Sequence, residues 1–183
     1  MGTPAGQRLS DQTALASVGP QTFRSLMGSL ASGVSVVTTL DGMGPRGFTC
    51  SAVCSVSATP PLLLSGVNNR SGTLRVILDT GRFAVNFLSE QGAGVSSLFA
   101  SDSSTKFDDI GWEPGKVTGM PLLEPTVAHA ECVVAESVGI GDHTLLIGRI
   151  VGGGTEQERL PLSYWRGDYG RLLRHELSRT EES

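Results

Sequence analysis

The sequence predicts a mainly β fold with a few short helices, compatible with a closed antiparallel barrel, and three observations carry that prediction. Residues 47–61, GFTCSAVCSVSATPP, alternate with a period of two. Phe48, Cys50, Ala52, Cys54 and Val56 are apolar, Thr49, Ser51, Ser55 and Ser57 set hydroxyls opposite them, and only Val53 breaks the pattern. That is a half-buried strand whose hydroxyl row can bond a polar planar ligand laid along it. Six or seven β-rich segments follow one another along the chain, separated by turn residues. Finally, Gly accounts for 24 of the 183 residues and only 17% are charged, a composition suited to many turns rather than to a helical bundle.

Residues 1–19 have weak periodicity and read as a mobile N-terminal arm, with one folded domain expected over 20–173. Thr22 can cap a helix in which Phe23, Leu26, Met27 and Leu30 recur at i, i+3, i+4 and i+7; this helix should end near Gly33 and cover an edge of the core. Residues 34–40 are rich in β-branched side chains and pass through Asp41-Gly42 and Gly44-Pro45 into the two-faced strand, which makes a hairpin. Gly42-Met43-Gly44-Pro45-Arg46-Gly47 spells the G-x-G-x-x-G of a dinucleotide-binding turn. A proline lies inside it, however, and strand-like alternation follows where a helix should open, so it reads as a hairpin turn.

After Pro60-Pro61, residues 62–67 form an apolar strand, 68–72 a polar turn and 73–79 a short helix. Ser71 and Thr73 then stand at a helix start, where unpaired N–H groups and the helix dipole favour an anion, although a plain N-cap explains them equally. Residues 82–88 read as a strand, 91–99 as a helix with Val95, Leu98 and Phe99 inward, and 100–109 as a polar loop carrying Lys106 beside Phe107. Residues 127–137 and 144–151 read as strands joined through 139–143. Gly152-Gly153-Gly154 reads as a loop, 160–169 as the last extended segment, and 174–183 as a charged tail.

A net charge of −4 and a pI near 5.3 leave no broad cationic surface, and aromatic residues make up only 5%, so nucleic acid is not an expected partner. No apolar run approaches the roughly 20 residues needed to cross a bilayer. With no basic segment leading into an apolar one at the N-terminus, neither membrane association nor export is expected, and the location reads as cytoplasmic. Cys50, Cys54 and Cys132 are odd in number, which argues against a disulfide framework, and no further Cys or His lies near Cys50 and Cys54 to complete four ligands. They read as buried core thiols, and no metal is expected. His129 falls in mid-strand, His175 in the tail and His143 in a loop beside Asp142, a setting usual for a structural hydrogen-bonding residue.

An ordered set of short motifs runs along residues 23–172: Phe23-Arg24, Gly33-Val34 with Val37-Thr38-Thr39, Gly47-Phe48-Thr49, and Ser57 with Pro60-Pro61. It continues with Gly81-Arg82-Phe83, Val85-Asn86, Phe99-Ala100, Lys106-Phe107, Gly141-Asp142-His143, Gly148 and the segment from Tyr164 to Tyr169. This set resembles the short-chain flavin reductases that supply reduced flavin to two-component flavin-dependent monooxygenases. The resemblance implies a split β-barrel of the flavin-binding type, a Greek-key antiparallel barrel with short flanking helices. It also implies a homodimer, FAD or FMN as acceptor, NADH or NADPH as hydride donor, and a partner monooxygenase.

By the same resemblance, Thr49, Cys50, Ser51 and Ala52 meet the isoalloxazine edge, and Gly66, Val67, Asn68, Asn69, Arg70, Ser71 and Thr73 cradle the ribityl phosphate. Ala100, Ser101 and Lys106 form a second wall, with the lysine countering phosphate charge. His143 lies beside the nicotinamide, where Tyr164, Trp165 and Tyr169 either stack or simply close the barrel. Many relatives carry another hydroxyl residue at positions 50 and 52, so contacts from Cys50 and Ala52 reduce to backbone. No nucleophile, base and orienter set is present, and hydride transfer between two cofactors requires none. An oxidase of the pyridoxamine-phosphate type, a non-catalytic flavin-binding module and a purely structural barrel remain as rival readings.

Overall fold

Proline fixes where the first helix begins. Its locked φ and missing N–H suit the first helical turn, so α1 (Pro20–Gly28) is capped by Gly19 and not by Thr22, and it ends five residues before Gly33. The structure, a computed structural model, describes residues 16–172; the tail expected over 174–183 lies outside them, as do residues 1–15 of the expected arm. The apolar stripe does not cover the core: Phe23, Leu26, Met27 and Leu30 are 50–64% exposed, and no residue of α1 is buried.

The strands then follow as β1 (Ser32–Gly33), β2 (Ser35–Asp41), β3 (Gly44–Cys50), β4 (Val53–Ala58) and β5 (Pro61–Asn68). Next come α2 (Gly72–Thr80), β6 (Arg82–Leu88), a 3-10 turn (Glu90–Gly92) and α3 (Ala93–Ala100). The chain ends with β7 (Trp112–Pro114), β8 (Pro121–Leu123), β9 (Thr126–Ile140), β10 (His143–Thr155), β11 (Leu162–Trp165) and β12 (Asp168–Arg171). Seven strands form one antiparallel sheet in the order β3-β2-β6-β9-β10-β5-β4. Its two edge strands are consecutive in the chain, joined only through Ser51-Ala52. The sheet is therefore curled into a barrel that is split between β3 and β4, and the Gly66 N–H donates to the Ala52 carbonyl at 2.8 Å across the corner. The interior is filled by Val37, Leu63, Val67, Phe83, Val85, Cys132 and Leu146, with Leu74 and Ile77 of α2 packed on it. A second cluster joins Val34, Val36 and Leu88 to Val95 and Phe99 of α3.

The corner changes the reading of the two-faced strand. Up to Cys50 the even positions face inward, but beyond Ser51-Ala52 the phase reverses, Val53 packs on the core, and Cys54 and Val56 are exposed. Cys54 is therefore not a core thiol, whereas Cys50 and Cys132 are buried as expected. The hydroxyl row breaks at the same place. Gly152 to Gly154 lie within β10, not in a loop: a Cβ on Gly153 would come 2.6 Å from the His129 carbonyl oxygen, an approach only glycine permits. The last extended segment is a hairpin, β11 against β12, and β7 pairs with β8 where no strand was expected. Buried Asn86 ties that small hairpin to the sheet, accepting from the Leu123 N–H at 2.9 Å and donating to Thr38 Oγ1 at 3.0 Å.

Candidate active site

The free edge of β3 forms the floor of a cleft of about 810 Å³, within the roughly 300–1,000 Å³ usual for small-molecule sites. One wall is the turn leading into α2, from Asn68 to Thr73, and the other is the end of α3 with the loop to Phe107. Gly47 sets the distance between floor and wall, since a Cβ there would meet the Phe99 ring at 2.8 Å and the Val37 carbonyl at 3.0 Å. Beside it the Thr49 hydroxyl donates to the Ser96 carbonyl at 2.6 Å, fastening α3 along β3. That bond uses the donor of Thr49, leaving its oxygen to accept.

The two walls carry the charge. Asn68 shapes its turn by accepting the Arg70 N–H on Oδ1 and the Ser71 N–H on its carbonyl, both at 2.9 Å. Ser71 takes the N-cap position of α2 as expected, yet its hydroxyl makes no capping bond, so the hydroxyl and the first-turn N–H groups stand ready for an anion. Across the cleft, Phe107 packs edge-on against Phe99 and Trp112, with ring centroids 5.0 and 6.1 Å apart. This anchor holds Lys106, whose ammonium donates to the Phe99 carbonyl at 3.0 Å, at the end of α3 where a cation is favoured. Burial pushes the Lys106 pKa below the ordinary lysine value, and Asp102 opposes the shift. Arg46, Arg70 and Lys106 against Asp102 leave the lining cationic.

Of the residues expected to hold a flavin, Thr49, Asn68, Arg70, Ser71, Thr73, Ala100, Ser101 and Lys106 line this one cleft. Cys50 turns its thiol into the core, 3.3 Å from the Gly66 carbonyl, where burial raises its pKa. Ser51 and Ala52 are exposed at the corner, Val67 is fully buried, and the Gly66 N–H is committed to Ala52. Asn69 does not line the cleft. Arg46, Gly47 and Asp102 do, and sequence reasoning missed them. In sequence, Arg46-Gly47 reads as part of the hairpin turn, and nothing in a linear pattern brings Phe99 near Gly47.

The residues expected around the nicotinamide are more dispersed. His143 opens β10 directly opposite Asn68 of β5, so it adjoins the cradle turn without lining the cleft. Its Nδ1 lies 2.7 Å from Asp142 Oδ1, and this hydrogen bond and the neighbouring imidazole charge hold the Asp142 carboxyl below the usual range, with Arg70 adding to the effect. Tyr164 and Tyr169 pair at 5.4 Å between centroids, and the Tyr169 hydroxyl donates to Ser96 Oγ at 2.9 Å. Trp165 faces elsewhere, donating its indole N–H to the Ser29 carbonyl at the end of α1.

The fold and cleft together define a split antiparallel barrel with an open strand edge, a helix start without a side-chain cap and a lysine-bearing wall. Comparison with known proteins makes the class specific: the model of the flavin reductase like domain matches residues 27–173, and the chain belongs to that family. It is 49% identical over 162 residues, 87% of this chain and 85% of the relative, to a flavin reductase (NADH) from Kitasatospora aureofaciens. It is 35% identical over 156 residues, 84% of this chain and 83% of the relative, to the reductase subunit HsaB of a flavin-dependent monooxygenase from Mycobacterium tuberculosis. Among solved structures, the NADH:FAD oxidoreductase SgcE6 of Streptomyces globisporus, in complex with NAD and FAD fragments, is 30% identical. It superposes with a TM-score of 0.81 over 87% of this chain and 98% of that one.

Proposed function

We propose that this protein is an NADH-dependent flavin reductase that hands reduced flavin to a separate flavin-dependent monooxygenase. The observation that carries the reading is the joint placement of the uncapped α2 start and the Lys106 ammonium on opposite walls of one cleft, with the open edge of β3 between them. That arrangement suits the phosphate common to FMN and FAD, and the open edge of β3 would hold the ring system. When both are bound, the nicotinamide supplies a hydride and the flavin accepts it at N5.

In this reading the chain's own residues bind and orient. Ser71, Thr73 and the backbone N–H of Gly72 at the start of α2 hold the phosphate together with Lys106 and Arg70, while Ala100 and Ser101 complete that wall. Thr49 offers an acceptor oxygen, and Cys50, Ser51 and Ala52 offer backbone groups to the ring edge. His143, with Tyr164 and Tyr169, serves the nicotinamide side, and Trp165 drops out because it is held against α1. No residue acts as a general base. The rate comes from holding donor carbon and acceptor nitrogen at roughly 3–3.5 Å.

The names of the relatives favour a reductase over an oxidase or a non-catalytic module, and the donor named in the most identical of the three is NADH. A homodimer is proposed because the apolar stripe of α1 is left exposed by the described residues of its own chain. A cytoplasmic location is proposed from the three unpaired cysteines, which suit a reducing compartment. Among the described residues no helix is long and apolar enough to cross a membrane. The test is a steady-state panel of NADH and NADPH against FMN, FAD and riboflavin. NADH oxidation that depends on flavin and has a lower KM for the phosphorylated flavins supports the reading, and rates that stay at the flavin-free background contradict it.

A further inference from the structure

The turn that follows β5 and the turn between β9 and β10 lie side by side, and three hydrogen bonds join them through one residue. The Asn69 N–H donates to the Asp142 carbonyl at 3.0 Å. Its side-chain Oδ1 accepts from the Thr144 hydroxyl at 2.8 Å, and its Nδ2 reaches the Gly141 carbonyl at 3.5 Å. One face of the amide accepts and the other donates, so its orientation is specified by both partners. Asn69 therefore turns away from the cleft, although its neighbours Asn68, Arg70 and Ser71 line it. The residues it grips, Gly141, Asp142 and Thr144, bracket His143 on both sides.

We propose that Asn69 is a positioning residue that ties the phosphate-cradling turn to the turn carrying His143 and so sets where the imidazole stands over the bound flavin. This rests on the reading of His143 as a nicotinamide-side group. Asn69 and Ser71 belong to the same short turn with only Arg70 between them, so the turn that leads into α2 is the support against which the His143 turn is held. Asp142 has a part in the same device, since it accepts from His143 by its carboxylate and from Asn69 by its carbonyl. Asn69 itself touches neither reactant.

The experiment is a double-mutant cycle on the full chain with Asn69→Ala and His143→Ala, backed by the near-isosteric Asn69→Asp, which keeps an acceptor for Thr144 and sets a carboxylate oxygen against the Gly141 carbonyl. KM for NADH, KM for FMN, kcat and melting temperature are measured for each. Either Asn69 variant is expected to raise the KM for NADH roughly five- to tenfold, at the low end of typical coupling factors, with the KM for FMN and the melting temperature little changed. In the His143→Ala background the same substitution should add less than about twofold, because the residue it positions is gone. Full additivity, or a loss confined to FMN or to melting temperature in both Asn69 variants, overturns the inference while leaving the reductase reading intact. A His143→Ala protein with normal NADH kinetics overturns the reading of His143, and the inference with it.

Discussion

Around the cleft, the side chains that shape the binding surface are held from behind. Thr49 is bonded to Ser96, Phe107 is wedged between Phe99 and Trp112, Lys106 is bonded to the end of α3, and Gly47 leaves no room for a Cβ beside the Phe99 ring. His143 instead opens a strand after a tight hairpin turn, half exposed, and its recorded side-chain hydrogen bond is to the exposed carboxylate of its own neighbour. Of the tyrosines expected to share its task, Tyr169 is bonded to Ser96 of α3 and Tyr164 packs on Tyr169, while the tryptophan is bonded to Ser29 at the end of α1. The contrast teaches a division of labour. In the proposed function the pre-built surface takes the phosphate and ring edge of a flavin, and the sparser group around His143 takes the nicotinamide. Substitutions should therefore split cleanly into those that move flavin parameters and those that move NADH parameters.

The largest effect should come from Gly47→Val, which forces side-chain atoms into the Phe99 ring and lifts α3 from β3. Loss of roughly a hundredfold in kcat/KM for flavin is expected from displacing the wall by about an ångström, with overpacking lowering stability by about 1–3 kcal/mol. Flavin titration and thermal melting of the variant check both. A variant that keeps wild-type flavin affinity would break the picture of a pre-built cleft.

His143→Ala probes the other side. It should lower kcat/KM for NADH roughly ten- to a hundredfold by loosening the stack, without abolishing turnover, because no proton is abstracted by this imidazole. The KM for flavin should stay where it was. A normal KM for NADH with impaired flavin binding would mean that the hairpin belongs to the cleft after all.

Lys106→Ala sharpens the division within the flavin side. Losing a charge-assisted contact should raise the KM for FMN about tenfold and leave kcat at saturating flavin nearly unchanged, since the phosphate is gripped alike in ground and transition states. Riboflavin, without the phosphate, should not respond, and equal losses for riboflavin and FMN would show that Lys106 does not meet phosphate. The sign of the pH dependence follows from burial. Because the ammonium's pKa lies below the ordinary lysine value, FMN affinity should weaken as pH rises through that lowered pKa, and the alanine variant should lack this alkaline limb.

The smallest effects separate two cysteines that the sequence pattern treats alike. Cys50→Ala leaves a void beside Ser65 and Gly66 and should lower stability by about 1–2 kcal/mol, while exposed Cys54→Ala should stay within about 0.5 kcal/mol of wild type. Both should retain activity.

That pair also marks where the sequence stops being legible. β-Branched and apolar runs identified β2, β5 and β6 within a residue of their observed bounds, and placed β9 and β10 but stopped short of their ends at Ile140 and Thr155, where Gly139 and Gly152 to Gly154 carry no side chain to signal a strand. The corner at Ser51-Ala52 could not be read, since a two-residue bend leaves no signature in hydrophobicity and yet inverts the sides of all that follows. The stripe on α1 is apolar as its periodicity says but does not pack on the core, because periodicity shows that a face is apolar and not what it meets. Ser71 was singled out from chemistry, an anion site at a helix start, and Lys106 from the resemblance alone, and both line the cleft. Arg46 and Gly47 owe their place in the site to Phe99, more than fifty residues on, and Asn69 owes its role to a turn that sequence places seventy-two positions away.

Anaerobic mixing of the purified protein with NADH and a molar excess of FMN or FAD puts the central claim to its most direct test. Catalytic amounts of protein should bleach the visible flavin band completely as one NADH is consumed per flavin, and admitting air should restore the band. Flavin that stays oxidised with NADH unconsumed, or bleaching limited to one equivalent per protein chain, would contradict a reductase that turns over and releases its product.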